Sequence, residues 1–400
     1  MESISWNFPG SRTSSRSTHG LFDARSIHWY PATYIPEIPY SLIELLSKPG
    51  DSVADPFAGT GTTLWQAQAL GRHPYGSELT LVGQNICADV WSLLSPDADL
   101  GSAQEQVLAL LRVWDGVDLS GVFRSSVRGS LLEPWFSEGT FRELAFIASA
   151  EEMVSATAFH LLRLATSAIL ASVSEQRRGW GCIADNMVPR PDALKAAPSS
   201  RSAIDKVRQK TKSIVRAVAA AREARALLGY DAIVDDPATH LFAGDCLESG
   251  IFDQEGAYDL VVTSPPYPAM TDYSTAQRLS YYWHGILPER DVPKEIGARR
   301  RRFGGGYLND YVQEMTLAFD AIGRSVKVGG YVAMVVPAFS TPEEGDARAT
   351  ALSAVFESAS DHSLQLAWET DRILPSSRRH INQKWTSLKR ENIRVYERVR

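Results

Sequence analysis

Hydrophobic and polar positions along this chain of 400 residues follow two patterns. Short apolar runs at 52–55, 240–245, 258–263 and 330–336 have strand length and end in polar turns, as buried strands of a parallel sheet do. Residues 74–78 read as the end of a second strand, and the segments 364–368 and 393–396 are candidates to close the sheet. Apolar positions three and four apart predict helices over 36–48, 62–70, 104–114, 141–173, 202–228 and 308–326. Residues 52–70 read strand, glycine turn, helix, which is how a doubly wound α/β unit opens. The expected organisation is a mobile arm (1–25), an α/β catalytic domain made of 26–88 and 236–400, and a helical insertion (89–235) serving as a target-recognition or lid subdomain.

Composition narrows the function classes. With 44% hydrophobic and 22% charged residues the chain is not disordered as a whole. A net charge of -6 argues against a wholly basic coat for polyanions, yet residues 195–225 and 372–400 each carry nine basic residues against two acidic ones. Three cysteines, Cys87, Cys182 and Cys246, are too few and too scattered for a disulfide framework or structural zinc, which points to a reducing, cytoplasmic setting with no metal. His28, His73, His160 and His240 lack metal-ligand spacing and are read as structural. The apolar run 158–173 is interrupted by His160 and Arg163, so no membrane association is expected.

Two constellations carry candidate chemistry. In Asp55-Pro-Phe-Ala-Gly59-Thr-Gly61 the glycines let backbone approach a ligand, and the helix that follows presents free N–H groups. The Gly-Lys-Ser/Thr of a phosphate loop is absent, and Leu64 stands where a dinucleotide loop has its third glycine. Thr263-Ser264-Pro265-Pro266-Tyr267 follows a strand directly, and its prolines make a rigid edge of carbonyl acceptors suited to an NH2 group, with Tyr267 offering a flat face to a base.

Together these residues resemble the S-adenosylmethionine-dependent amino-methyltransferases of DNA, which methylate cytosine N4 or adenine N6. The resemblance implies a Rossmann-like class I methyltransferase sheet. It implies a cofactor site at Pro31 and Ala32 of the His28-Trp-Tyr-Pro-Ala segment, Asp55, Phe57, Ala58, Gly59, Gly61, Thr62 and Thr63 of the loop, Glu78 on the ribose, and Asp245 with Cys246 near the adenine. Ser264, Pro265, Pro266 and Tyr267 match the catalytic motif in the form that favours cytosine N4, with adenine N6 the alternative. The expected partner is double-stranded DNA with the target base flipped out, and a companion restriction nuclease is possible. An RNA or protein amino-methyltransferase and a non-catalytic cofactor-binding regulator are the rival readings.

An exocyclic amine is a weak nucleophile, so its N–H bonds must be held by acceptors, here Ser264 and the Pro265 carbonyl, with no enzyme nucleophile and no essential histidine. The candidates for contact with DNA are Arg299, Arg300, Arg301 and Arg302, the basic helix at 195–225, and Arg177 and Arg178 beside Trp180 and Asn186.

Overall fold

The computed structural model describes residues 6–8, 22–176, 188–189, 202–227, 229, 240–338, 347–358, 364–374 and 390–400. Seven strands, β1 (Ser52–Asp55), β2 (His73–Glu78), β3 (Leu241–Ala243), β4 (Tyr258–Thr263), β5 (Val326–Pro337), β6 (Leu364–Ile373) and β7 (Arg390–Arg398), form one sheet in the order β3-β2-β1-β4-β5-β7-β6. The first five run parallel, and β7 lies antiparallel between β5 and β6. This is the sheet of a Rossmann-like methyltransferase, as expected. Strand order reverses at β1, so the crevice above the carboxyl ends of β1 and β4 is the topological switch point where open α/β sheets bind ligands.

Side chains of the central strands alternate between two apolar layers. Val53, Leu260, Val262, Ala333 and Val335 face α1 (Glu37–Leu46) and α2 (Thr62–Ala69), while Ala54, Val261, Val332 and Met334 lie in the opposite layer. Between β2 and β3 run α3 (Leu81–Leu94), α4 (Leu100–Arg112), α5 (Ser120–Arg124), α6 (Val127–Leu132), α7 (Glu138–Ala150), α8 (Ala156–Val173) and α9 (Ala203–Leu227). After β4 come the short α10 (Tyr273–Ala276) and α11 (Arg278–Trp283), then α12 (Tyr307–Ser325), and α13 (Ala347–Ser358) after β5. Tyr311, Met315 and Phe319 of α12 and Val355 of α13 cover the second face.

The helical insertion departs from expectation in two ways. Its predicted start at residue 89 falls inside α3, and its helices share one core with the catalytic domain: Leu64 and Trp65 of α2, Ile86 of α3 and Trp283 of α11 sit in the same cluster as Leu161 and Ile214. Each amphipathic helix has an apolar stripe to bury, and the flank of the sheet beside α2 and α3 supplies the surface. The predicted single helix at 141–173 is two helices, because the Ser155 side chain accepts from Ala158 N and caps a new start. By length and composition α8 could cross a membrane, but 56% of it is buried in this bundle. His160 and Arg163, which interrupt its apolar run, both reach the buried Asp89 of α3.

The N-terminal arm also needs correction. Trp6 is 4% exposed, its ring 5.5 Å from Trp368 of β6, and the side-chain oxygen of Asn7 accepts from Ile373 N at 2.7 Å. A tryptophan in a Ser/Arg-rich stretch was the one signal of an anchor. Replacing Trp6 with alanine should lower unfolding stability by about 3 kcal/mol, the usual loss for a buried aromatic. Urea denaturation checks this, and an unchanged midpoint would return the segment to a free arm.

Candidate active site

The site is built where β1 and β4 end side by side. Past Asp55 the chain turns through Gly59 (φ 57°) and Gly61 (φ 78°), both left-handed, and enters α2. A Cβ on Gly61 would stand 2.8 Å from the Trp65 indole, so only glycine lets the loop close over that ring. Gly61 caps α2 without any side-chain bond, which leaves the helix N-terminus open toward the space above.

Asp55 lies beneath this loop. Its Oδ1 accepts from Phe57 N at 3.0 Å and from the Thr263 hydroxyl at 2.6 Å, and its Oδ2 accepts from the Thr63 hydroxyl at 2.5 Å. One carboxylate thus ties the glycine loop, the first turn of α2 and the end of β4 together. Burial pushes the Asp55 carboxyl up to about 6, and the three hydrogen bonds hold it from going further. Asp55 and Thr63, expected to touch a cofactor, are placed under the loop instead and position it; Gly61 likewise lies outside the cleft lining.

Glu78, at the end of β2, plays a matching part on the other side of the loop. Its Oε2 accepts from Gly59 N at 2.8 Å, and its Oε1 accepts from Thr80 N at 2.8 Å, the Thr80 hydroxyl at 2.5 Å and the Tyr30 hydroxyl at 3.1 Å. Burial pushes its carboxyl up to about 7. A Cβ on Gly83 would come within 2.6 Å of the Glu78 side chain, so that glycine in α3 makes the room.

Above these groups opens a cleft with about 800 Å³ of space, including the part open to solvent. Its walls come from Tyr30, Pro31, Ala32 and Tyr34, from Phe57 to Thr60 with Thr62, from Glu78 and Thr80, from Asp245 and Cys246, from Ser264 and Pro266, and from Tyr273, Lys294 and Glu295. The glycine loop and the double-proline motif, about 200 residues apart in sequence, therefore share one cleft. Ala32 is held in the left-handed region at φ 58°, a strained conformation for a residue with a Cβ. The Thr60 hydroxyl, in a residue 1% exposed, has no hydrogen-bond partner among the described residues.

These features fit S-adenosylmethionine. The open helix end and loop suit its carboxylate, Oε2 of Glu78 retains an acceptor site for a ribose hydroxyl, and Asp245 faces the cleft as an acceptor for the adenine. Among the described residues no group of His, Cys, Asp and Glu could hold a metal ion.

The double-proline motif is braced from behind. Pro265 is buried, the Tyr311 hydroxyl donates to the Pro266 carbonyl at 3.1 Å, and Gly297 (φ 64°) leaves room beside the Tyr267 carbonyl. The Tyr267 ring does not line the cleft. Its hydroxyl lies inside, 3.3 Å from Ser264 Oγ and from the Val335 carbonyl and 3.4 Å from Oε1 of Glu391, and burial raises it well above the usual phenol range. The aromatic rings at the cleft wall are those of Tyr30, Tyr34, Phe57 and Tyr273, with Tyr273 stacked on Tyr30 at 6.3 Å. Sequence reasoning missed Tyr30, Thr80, Tyr273, Glu295 and Tyr311; only Tyr30 sat within a segment already singled out.

The four arginines divide. Arg300 pairs with Asp272 and donates to Thr275, Arg301 pairs with Glu314 at 2.7 Å and donates to the Pro293 carbonyl, and Arg299 is partly buried. Arg302 is exposed, its guanidinium 4.6 Å above the ring of the exposed Phe303. Arg177, Arg178, Trp180 and Asn186 lie outside the described residues.

The two buried carboxylates set a pH dependence. Both have folded pKa values above their ordinary ones, so their contribution to stability is fullest below about pH 4 and is lost as pH rises through about 6 for Asp55 and about 7 for Glu78. Urea unfolding of the unliganded protein should show stability falling between about pH 4 and about pH 7, with a shallower fall in Glu78→Gln. An equal slope in the variant would remove Glu78 as a cause.

Among known proteins, residues 3–85 match the N6/N4 methyltransferase family model described as DNA methylase. The match spans the buried Trp6, the His28 to Ala32 segment, the glycine loop and Glu78, and stops short of the double-proline motif. No curated protein matches the chain. Two structures of the rRNA methyltransferase aviRa from Streptomyces viridochromogenes align over 96% of this chain and 95% of theirs, at 11% identity and TM-scores of 0.36 and 0.33. The sheet is that of a methyltransferase, and the chain's likeness to the amino-methyltransferases of DNA is carried by residues 3–85.

Proposed function

We propose that this chain transfers a methyl group from S-adenosylmethionine to the exocyclic amino group of a base flipped out of DNA, cytosine N4 in preference to adenine N6. The observation that carries the reading is the 2.6 Å bond from Thr263 to Asp55, which fastens the acceptor-rich motif beside the cofactor loop in one cleft. S-adenosylmethionine, when bound, supplies a methyl group on a positively charged sulfur.

The chain's own residues then have three tasks. Ser264 has two inward partners for its single hydroxyl hydrogen, the Val335 carbonyl and the Tyr267 oxygen, each at 3.3 Å, and so presents lone pairs to the cleft. With the Pro265 carbonyl it can hold both N–H bonds of an amine and aim the nitrogen's lone pair, the Pro266 carbonyl being engaged by Tyr311. Orientation of this kind is worth up to ~7 to 11 kcal/mol of barrier. The cleft must also exclude water, and its wall of Tyr30, Tyr34, Phe57, Pro266 and Tyr273 is largely apolar. Flipping the base costs a few kcal/mol, which contacts to the DNA backbone must offset. Arg302 is the arginine of the four-residue run best exposed for that purpose.

Cysteine-based chemistry at carbon is disfavoured. Cys246 lines the cleft, but burial pushes its thiol up to about 12, and burial also raises the Cys87 thiol well above the usual range. The Ser-Pro-Pro-Tyr form supports cytosine, while adenine presents an NH2 group of the same geometry.

Incubation with isotopically labelled S-adenosylmethionine and mixed DNA, digestion to nucleosides and mass spectrometry should reveal N4-methylcytosine. N6-methyladenine would overturn the choice of base, and label only in RNA or protein would overturn the DNA reading. Ser264→Ala should lower kcat about 100-fold, within the range of a positioned acid-base group, while leaving cofactor Kd within about twofold. Arg302→Ala should reduce the slope of log binding constant against log salt by about one phosphate contact, whereas Arg301→Ala, whose partner is Glu314, should leave that slope unchanged and lower stability instead.

A further inference from the structure

A line of polar side chains leaves the cleft through the sheet. It starts at Ser264, the one member that lines the cleft, continues to the Tyr267 hydroxyl at 3.3 Å, and reaches Oε1 of Glu391, the second residue of β7, at 3.4 Å. Beyond it, Oε2 of Glu391 faces Nη1 of Arg372 on β6 at 3.4 Å, and the two residues are register partners across the antiparallel pair. Arg372 is 1% exposed, whereas the Glu391 side chain keeps 13% of its surface in water. The guanidinium thus fixes one oxygen of the carboxylate and leaves the other turned toward Tyr267.

The direction of these bonds is set by charge. The Val335 carbonyl, 3.3 Å from both hydroxyls, and the Glu391 carboxylate only accept; the ionised carboxylate is the stronger acceptor, so Tyr267 donates its single hydroxyl hydrogen to Glu391, and its oxygen is then free to accept from Ser264. Ser264 in turn keeps lone pairs for a donor in the cleft. The chain of donors runs one way, from cleft to solvent edge. The long spacings are of the kind that tighten when a substrate fills the site.

Resting on the amino-methyltransferase reading above, we propose that Ser264, Tyr267 and Glu391 form a relay that carries the proton released by the methylated amine out to solvent. As the nitrogen gains its fourth bond one N–H bond breaks, and the electron pair stays on nitrogen. That proton bonds to Ser264 Oγ, the serine hydrogen passes to the Tyr267 oxygen, and the tyrosine hydrogen passes to Glu391. The carboxylate becomes a neutral acid and gives its proton to water at its exposed edge. One negative charge on Glu391 is consumed as one positive charge leaves the reacting pair, so no uncompensated charge remains in the cleft. Tyr267 and Glu391 act through Ser264 and are positioning and relay groups, not contacts to the base.

The test uses full-length protein with labelled S-adenosylmethionine and the DNA found to accept methyl groups. Tyr267→Phe and Glu391→Gln should each lower the single-turnover rate 10- to 100-fold, with cofactor Kd by calorimetry and the KM for DNA within about twofold of the parent. The parent's rate should fall with deuterium content along a curved proton inventory that becomes linear in both variants, and Glu391→Asp should restore part of the rate. Parent-like rates and curvature in the variants would overturn the relay while the methyltransferase reading stands. Loss of cofactor affinity in step with rate would also overturn it, by making both residues structural. A parent protein that methylates nothing would overturn the reading beneath it and the relay together.

Discussion

Three donors converge on the Asp55 carboxylate, and each belongs to a different part of the site: Phe57 N in the glycine loop, Thr63 in α2, and Thr263 at the end of β4. Because the carboxylate is buried, its hydrogen bonds replace water that is absent, and losing any one would leave a polar atom unpaired at about 1 to 3 kcal/mol. Desolvation works against the arrangement and raises the carboxyl toward neutrality, which marks it as a tolerated strain and not a stabilising device. What the arrangement secures is register: backbone pairing sets β1 beside β4, and the Asp55 bonds, with that from Thr63 to the Val262 carbonyl, fix how the two loops meet beyond the strand ends.

Local patterns carried most of the sheet. The strands at 52–55 and 258–263 were legible residue for residue, because apolar runs bounded by turn residues have few other meanings. The glycine loop was legible for the same kind of reason, since φ near 60° at two positions admits little else. Helix α13 was not foreseen, as its apolar residues show almost no one-sided periodicity. The roles inside the site were less legible than its location. Asp55 reads in sequence as a ligand contact and lies in space as a strut, and Tyr267 reads as a stacking platform while its hydroxyl is drawn inward to Val335 and Glu391. Partners such as Tyr30, Thr80 and Tyr311 come from elements whose distance in sequence hides their proximity.

The helical insertion shows how burial overrides a boundary drawn from composition. A change from strand to helix pattern after residue 78 suggests a separate body, yet the apolar surface of α3 and α2 draws the inserted helices into one core. Arg222 of α9 illustrates the consequence, since its guanidinium donates to the carbonyls of Leu93 at the end of α3 and of Ala98 in the turn before α4. A basic helix therefore spends part of its charge on internal structure, as Arg300 and Arg301 do in the run near the cleft. Counting basic residues overstates the charge offered to a polyanion.

Charge around the cleft bears on which ligand form is favoured. Glu78, Asp245 and Glu295 line it, with Asp55 beneath, and burial raises the carboxyls of Glu78, Glu295 and Asp55. A cationic ligand offsets that desolvation, because an opposite charge nearby favours the ionised form. On the proposed reading the donor carries a positive sulfur and its product does not, so methyl transfer removes the charge that the acidic wall compensates. On that reading the carboxylates that cost the protein stability also weaken the hold on the spent cofactor, so that this cost and a preference for the charged donor are two faces of one arrangement of buried acids.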